Sequence, residues 1–162
     1  MGFPDAKRGG HKFVVSRFRS LDWGWGPSSY PDCIRFEVDK DIHLHAIQLF
    51  GNDNSEHSVT LEVLDNNIGE TVRRQEGIFL SKQINCEIGD HQGFDIVFVP
   101  SIAIKANRWY QISATIAGPL SWYGRNGCST VEHSGVTFYF YSVSRPTSCE
   151  KGQISKFVFT LD

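Results

Sequence analysis

The sequence predicts an all-β protein, an antiparallel β-sandwich of about ten to eleven strands. Aromatic residues are abundant, with 12 Phe, 5 Tyr and 4 Trp against a single Met, and such residues favour pleated surfaces over helices. Short apolar segments are separated by turn-forming residues along the whole chain. Apolar residues never recur with a helical period over ten or more positions. The length of 162 residues predicts one domain spanning residues 1–162.

The strands of the first half follow from alternating apolar and polar residues. Ile34–Val38 alternates, which predicts a strand with one solvated face. Ile42–Phe50 alternates at first and changes phase at Ile47, which predicts a bulge or a move to a position covered on both faces. Val59–Val63 predicts the next strand, and Asp65–Asn67 predicts the hairpin turn that ends it.

The strands of the second half are more strongly apolar. Phe94–Val99 is apolar almost throughout, which predicts a central strand covered on both faces and closed by Pro100. Gly77 is expected to separate two short strands, and Trp109–Ala117 alternates as one more strand. Two late strands are predicted around the following residues: Phe138, Phe140, Phe157 and Phe159.

Composition and local motifs argue against several classes of partner and compartment. The net charge of −2 and the scattered Lys and Arg residues lack the basic stripe of a nucleic-acid binder. No apolar run reaches about 18 residues, so no membrane span is expected. The four cysteines form no Cys-x-x-Cys pair, and neither a hydrophobic signal segment nor an Asn-x-Ser/Thr sequon is present. We therefore expect a cytoplasmic, monomeric domain with four reduced thiols.

The sequence offers little chemistry of the enzymatic kind. His43 and His45 place two imidazoles on one face of a strand, with a possible third ligand in His57, His91 or His133. Two ligands do not make a metal site, and ordinary solvated residues are the favoured interpretation. No Gly-x-Ser-x-Gly elbow, paired carboxylates or phosphate-binding loop is present. We therefore expect a protein that is not an enzyme and needs no cofactor or metal.

The aromatic residues in two Gly- and Pro-containing stretches are the candidate site. Trp23 and Trp25 lie in the first stretch, and Trp122, Tyr123 and the adjacent Arg125 in the second. Gly and Pro interrupt strands, so both stretches are expected to lie outside strand interiors. The rings either plug the open ends of the sandwich or form an amphipathic contact surface for a protein partner, since Trp, Tyr and Arg are enriched at binding hot spots.

Several segments, in order, resemble the PHR domain of the PAM/Highwire family of ubiquitin ligases. They are Phe18 through Trp23-Gly24-Trp25-Gly26 to Phe36, then Leu49-Phe50-Gly51, Gly118-Pro119-Leu120-Ser121-Trp122-Tyr123-Gly124, and Gly152-Gln153-Ile154 with Phe157 and Phe159. The resemblance covers about residues 18–159. It implies a β-sandwich of about eleven strands that serves a neuronal ligase through binding, while the catalytic RING lies elsewhere in such proteins.

PHR domains also occur in BTB-domain cullin adaptors. The sequence departs from that group at Ser155-Lys156, which replaces its usual Pro-Glu, and at Arg145–Cys149, which lacks its Asn-Gly-Thr loop. The resemblance therefore favours a ligase that acts in axon and synapse development. A carbohydrate-binding sandwich is the alternative from another class, because Trp beside Asn and Asp also binds sugars.

Overall fold

The computed structural model describes residues 11–26, 31–143 and 149–162. These residues form thirteen strands and no helix, so they contain no helical segment long and apolar enough to cross a bilayer. The strands, in chain order, are β1 Phe13–Ser16, β2 Phe18–Trp25, β3 Asp32–Val38, β4 Ile42–Phe50, β5 Glu56–Asp65, β6 Glu70–Leu80, β7 Lys82–Ile84, β8 His91–Ile104, β9 Tyr110–Ala117, β10 Ser121–Gly127, β11 Thr130–His133, β12 Val136–Ser142 and β13 Ile154–Leu161.

Two large antiparallel sheets and one ribbon make up the fold. One sheet has the order β1-β13-β4-β8-β7, and the other has the order β11-β12-β3-β9-β5-β6. Strands β2 and β10 pair separately as a two-stranded ribbon. Every strand pair is antiparallel, as the sequence predicted.

Aromatic and branched residues from both large sheets form the core between them. Phe36 of β3 meets Phe157 of β13 at a ring separation of 5.2 Å, and Phe138 of β12 meets Phe159 at the same distance. All four rings are fully buried. The alternation of Ile34–Val38 matches this core, because its apolar side chains are buried and its charged side chains are partly exposed. The all-β sandwich prediction is therefore confirmed.

The change of phase in β4 corresponds to an irregularity of both neighbouring ladders. The pairing of β4 with β8 shifts between Leu44 and Ala46, and the pairing with β13 shifts opposite the same residues. From Ala46 to Phe50 every residue is buried. Both alternatives drawn from the sequence, a bulge and a doubly covered segment, are realised together.

The prediction for Phe94–Val99 is partly wrong. Its side chains at Phe94, Ile96 and Phe98 are buried, but Val99 is 84% exposed, so only one face is covered. Strand β8 also continues through Pro100 and, beyond Gly93, pairs with β4 alone. Pro100 is tolerated because this part of β8 is a sheet edge, where the missing amide hydrogen breaks no ladder bond.

The expected break at Gly77 does not occur. Strand β6 runs without interruption from Glu70 to Leu80, and Gly77 pairs with Val59 of β5. Pairing with β5 along nearly the whole length of β6 stabilises a strand that the glycine would otherwise weaken.

The four cysteines are free thiols in the structure, and Cys33 is buried. Burial raises the pKa of the Cys149 thiol above its usual value, and the nearby Arg17 guanidinium partly offsets this effect. The Cys149 thiol donates a hydrogen bond to the carbonyl of Phe140 at 2.9 Å. The remainder of the segment 145–149, on which the comparison with BTB adaptors partly rested, lies outside the described residues.

Candidate partner-binding site

The two aromatic stretches form strands and pair with each other, so their assignment to loops is wrong. Trp23 and Trp25 belong to β2, and Trp122, Tyr123 and Arg125 belong to β10. Trp122 pairs with Trp23, and Ser121 pairs with Trp25. All five predicted site residues are thereby brought together from positions about one hundred residues apart in sequence.

Gly24 is the extra residue that shifts this pairing. It lies between the partners of Ser121 and Trp122, with a φ of +107° that L side chains rarely adopt. A bulge changes the alternation of side chains along a strand. Trp23 and Trp25, although two residues apart, therefore contact different partners.

The rings form two packed pairs. Trp23 and Trp122 have centroids 5.6 Å apart in an edge-to-face arrangement, and Trp25 and Tyr123 have centroids 5.0 Å apart. Successive residues of a strand point to opposite faces, so Trp122 and Tyr123 place the two pairs on different sides of the ribbon. Trp23 is 46% exposed, and the other three rings are partly exposed.

The exposure of the four rings distinguishes between a plug for the open end of the sandwich and a contact surface, the two interpretations that the sequence left open. None of the four rings is among the buried core residues of the sandwich. Plugging an open end would bury the rings against the core, whereas a contact surface requires accessible area. The geometry favours an accessible surface over a plug.

Asp22 organises the side of the ribbon that carries Tyr123 and Arg125. Its carboxylate accepts hydrogen bonds from the Tyr123 hydroxyl at 3.3 Å and from Arg125 Nη1 at 3.0 Å. It also accepts the backbone N–H of Trp23 at 2.8 Å. The hydrogen bond from Trp23, followed by that from Arg125, lowers the pKa of Asp22 below its usual value. An ionised Asp22 thus holds the guanidinium and the phenol in one orientation.

Hydrogen bonds with Gln153 and Gly51 tie the Ser121 end of β10 to the sandwich. The Gln153 side-chain amide donates to the Trp122 carbonyl at 2.8 Å and to the Ser121 hydroxyl at 3.0 Å. The N–H of Trp122 donates to the carbonyl of Gly51 at 3.2 Å. The two bonds to Trp122 use its main-chain atoms, so its ring is free to serve a surface role.

Sequence reasoning missed Asp22 and Gln153 as supports of the site. Asp22 is adjacent to Trp23, but only the pairing of β2 with β10 shows which residues its carboxylate meets. Gln153 lies within the Gly152-Gln153-Ile154 motif, which was one of the segments that carried the resemblance. The motif does not show that the Gln153 side chain is buried beneath the ribbon, and only the structure shows this.

A polar cavity of about 370 Å³ adjoins the ribbon at Trp122. The other lining residues come from the loop before β5 and from the β7–β8 region: Asp53, Gln83, Asp90, His91 and Gln92. The ring of Trp122 therefore borders both the packed contact with Trp23 and a site rich in hydrogen-bonding groups.

The two histidines considered as metal ligands have other partners. Nε2 of His43 lies 3.0 Å from Oδ1 of Asp162, and Nε2 of His45 lies 2.9 Å from the hydroxyl of Thr160. Burial, followed by the charge of Lys12, lowers the pKa of His45 below its usual value. Within residues 11–26, 31–143 and 149–162, no group of three or more His, Cys, Asp or Glu residues could hold a metal ion.

The fold and the ribbon define an all-β sandwich domain with an exposed aromatic surface on a separate two-stranded element. The family model of the PHR domain matches residues 16–160. The chain belongs to the PHR domain family.

Curated relatives of two kinds contain this domain. The chain is 32% identical to the E3 ubiquitin-protein ligase highwire of Drosophila melanogaster over 155 residues, which is 91% of the chain and 3% of that protein. It is 27% identical to the E3 ubiquitin-protein ligase MYCBP2 of Danio rerio, with the same two coverages. It is 29% identical to the BTB/POZ domain-containing protein 6-B of Danio rerio over 97% of the chain and 33% of that protein. The chain thus spans a small part of the ligases and about a third of the BTB/POZ protein.

Proposed function

We propose that this chain is the non-catalytic protein-interaction module of a RING-type E3 ubiquitin ligase, and that the β2–β10 ribbon is its contact surface. The carrying observation is that the five predicted residues come together as two packed, accessible aromatic pairs beside a fixed arginine. The similarity to highwire and MYCBP2 supports the ligase setting.

The ribbon has the properties that a recognition surface needs. Its aromatic rings are already packed against each other, so little side-chain entropy is lost when a partner covers them. The Asp22 carboxylate holds Arg125 in one orientation, which likewise reduces the side-chain entropy lost on binding. Fully covering a Trp or Tyr ring supplies much of the binding energy of typical interfaces.

The proposal is tested by the double substitution Trp122→Ala with Tyr123→Ala. Together the two changes remove one ring from each aromatic pair, and we expect partner capture to weaken by at least about 2 kcal/mol. The rings are outside the core, so the fold should survive. A pull-down from neuronal lysate, with circular dichroism melting of the same variant, measures both effects.

A matched control pair lies elsewhere on the surface. Trp109 and Tyr141 pack edge to face at 4.2 Å, and both are also partly exposed. The double change Trp109→Ala with Tyr141→Ala should leave partner capture unchanged. A folded ribbon variant that captures its partner at full strength would remove the ribbon from the binding site.

The setting of the parent protein belongs to the same proposal. On the resemblance to the PAM/Highwire family, we place the parent in the cytoplasm of neurons, with a role in axon and synapse development. Deleting this domain from the parent should then alter synapse number or axon growth in a neuron that otherwise expresses the protein normally. A deletion without any such effect would count against this setting.

Sugar binding is the second candidate, and one observation favours it. Trp122 borders the polar cavity lined by Asp53, Asp90 and two glutamine residues, which is a combination that could stack and hydrogen-bond a saccharide. Titration of the chain with mono- and disaccharides, followed by the intrinsic fluorescence of Trp122 against a Trp122→Phe variant, tests this. Saturable quenching that the variant lacks would favour the sugar site over the protein surface.

A further inference from the structure

A second cavity, of about 350 Å³, lies where β2 and β13 meet the loop 85–90. Phe18 and Leu21 of β2 and Ile88 of the loop provide apolar walls. Arg19 and Lys156 bring positive charge to the same cavity. An apolar chamber with cationic groups suits a ligand that has an apolar body and an anionic end.

The two cations have no carboxylate partner within the described part of the chain. Nε of Arg19 donates to the thiol sulfur of Cys128 at 3.2 Å, which leaves its terminal N–H groups available. Lys156 makes no ion pair there. Glu87 is the single carboxylate among the lining residues, so the cations outnumber it. This excess is local, because the whole chain carries a net charge of −2.

His91 lines both this cavity and the polar cavity beside Trp122, and its ring carries one fully buried polar atom without a partner. Its side chain is only 3% exposed, and its Nδ1 bonds to the carbonyl of Gly89 at 3.0 Å. Because a carbonyl only accepts, Nδ1 carries the proton of the neutral ring and Nε2 carries the lone pair. Nε2 has no partner among the described residues, and a buried polar atom without a partner is costly.

We propose that this cavity binds an acidic side chain in a segment of the protein partner. The carboxylate would lie between Arg19, Lys156 and Nε2 of His91. The adjoining apolar groups of the segment would pack against Phe18 and Leu21. The inference rests on the proposed role in protein binding, and it assigns the chemistry of a second contact beside the aromatic ribbon.

Binding of a carboxylate is coupled to one proton. Burial lowers the pKa of His91 below its usual value, the hydrogen bond to the Gly89 carbonyl opposes this effect, and Lys156 lowers the pKa further. The unoccupied site therefore holds a neutral ring near pH 7. A bound carboxylate favours the protonated ring, which takes a proton from solvent onto Nε2 and donates it to the ligand.

The affinity of the cavity for a carboxylate depends on pH. The bound complex has the higher pKa, so affinity rises as the pH falls through the neutral range, while a glutamate ligand stays ionised down to about pH 5. The charged or titratable groups that face or neighbour His91 from the surrounding elements are Arg19 of β2, Lys156 of β13, Asp53 of the loop before β5, and Cys86, Glu87 and Asp90 of the loop 85–90.

The test is an NMR titration of the chain with the capped dipeptide acetyl-leucyl-glutamate amide. We expect saturable shifts of the His91 ring signals, a raised His91 pKa in the complex, and tighter binding at pH 6 than at pH 7.5. The glutamine dipeptide of the same shape should not bind. Lys156→Gln and Arg19→Gln should each weaken binding by about tenfold, since each removes a hydrogen bond to a charged group.

Further controls show whether binding depends on the lining of this cavity and on the carboxylate of the ligand. Lys40→Gln makes the same change of charge at a lysine that does not line the cavity, and it should leave the affinity unchanged. Equal binding of the glutamate and glutamine dipeptides would overturn the proposal, and so would inorganic phosphate that binds as tightly as the glutamate dipeptide. Binding of the glutamate dipeptide without a rise in the His91 pKa would also overturn it. Partner capture tests the ribbon and this titration tests the cavity, so failure of the ribbon as a contact surface and failure of the cavity are distinguished.

Discussion

The close contact between Gly124 and Phe18 provides the sharpest test of how the ribbon is held. A Cβ at position 124 would fall far inside van der Waals contact of the Phe18 ring. The ring is 5% exposed and is held by the guanidinium of Arg17, 4.1 Å from its centroid, and by Phe50 at 6.1 Å. Gly124→Ala therefore inserts a methyl group where neither neighbour can move freely.

The backbone at Gly124 cannot easily retreat either. Its N–H and carbonyl exchange hydrogen bonds of 3.0 and 3.1 Å with Gly152. Overpacking of this kind costs about 1–3 kcal/mol, and with both sides held we expect Gly124→Ala to cost about 2–3 kcal/mol. For a domain of this size that corresponds to a fall in melting temperature of about 5–10 °C. Partner capture should fall too, because Trp122 and Tyr123 precede this residue directly.

Gly26→Ala, directly after β2, is the matched control. A Cβ at position 26 would meet only Leu120 Cδ2, at an ordinary 3.6 Å, so the free energy of unfolding should change by less than about 0.5 kcal/mol. Thermal melting and urea unfolding measure both variants. In a Phe18→Ala background the cost of Gly124→Ala should largely disappear, as expected for two groups in contact. A Gly124→Ala variant as stable as the parent chain would refute this account.

Two further predictions concern the core. Ile96→Ala should lower the free energy of unfolding by about 2–5 kcal/mol, because the side chain is buried although its strand lies at a sheet edge. Val97→Ala, at the exposed neighbouring residue, should lower it by less than about 0.5 kcal/mol. Equal costs of the two changes in urea unfolding would contradict the assignment of Ile96 to the buried face. Arg17→Ala should cost about 3 kcal/mol or more, since the buried guanidinium donates to the carbonyls of Ile154 at 2.7 Å and Cys149 at 3.1 Å. Arg17→Lys should not restore stability, because an ammonium cannot reproduce the two-pronged geometry; a fully stable Lys variant would argue against this role.

The sequence by itself determined several of the core strands and the faces that they bury. The apolar residues of Ile34–Val38, the segment that follows the phase change at Ile47, and Tyr110, Ile112 and Ala114 of β9 are all buried in the structure. These features could be predicted because the side-chain period of a strand is a local property of the backbone. The candidate residues on the ribbon were also visible as sequence, since large rings next to glycine and proline are unusual.

Only the tertiary structure decided which strands pair and what each side chain meets. Phe94–Val99 is as apolar as a central strand, yet most of β8 lies at an edge, because its exposed valines and its buried phenylalanines look alike in sequence. The pairing of Trp23 with Trp122 joins segments about one hundred residues apart, and no local pattern specifies such a partner. Arg17 looks like a surface residue until three elements close around its guanidinium. Packing against distant parts of the chain sets these features, and it becomes defined only when the whole sandwich has formed.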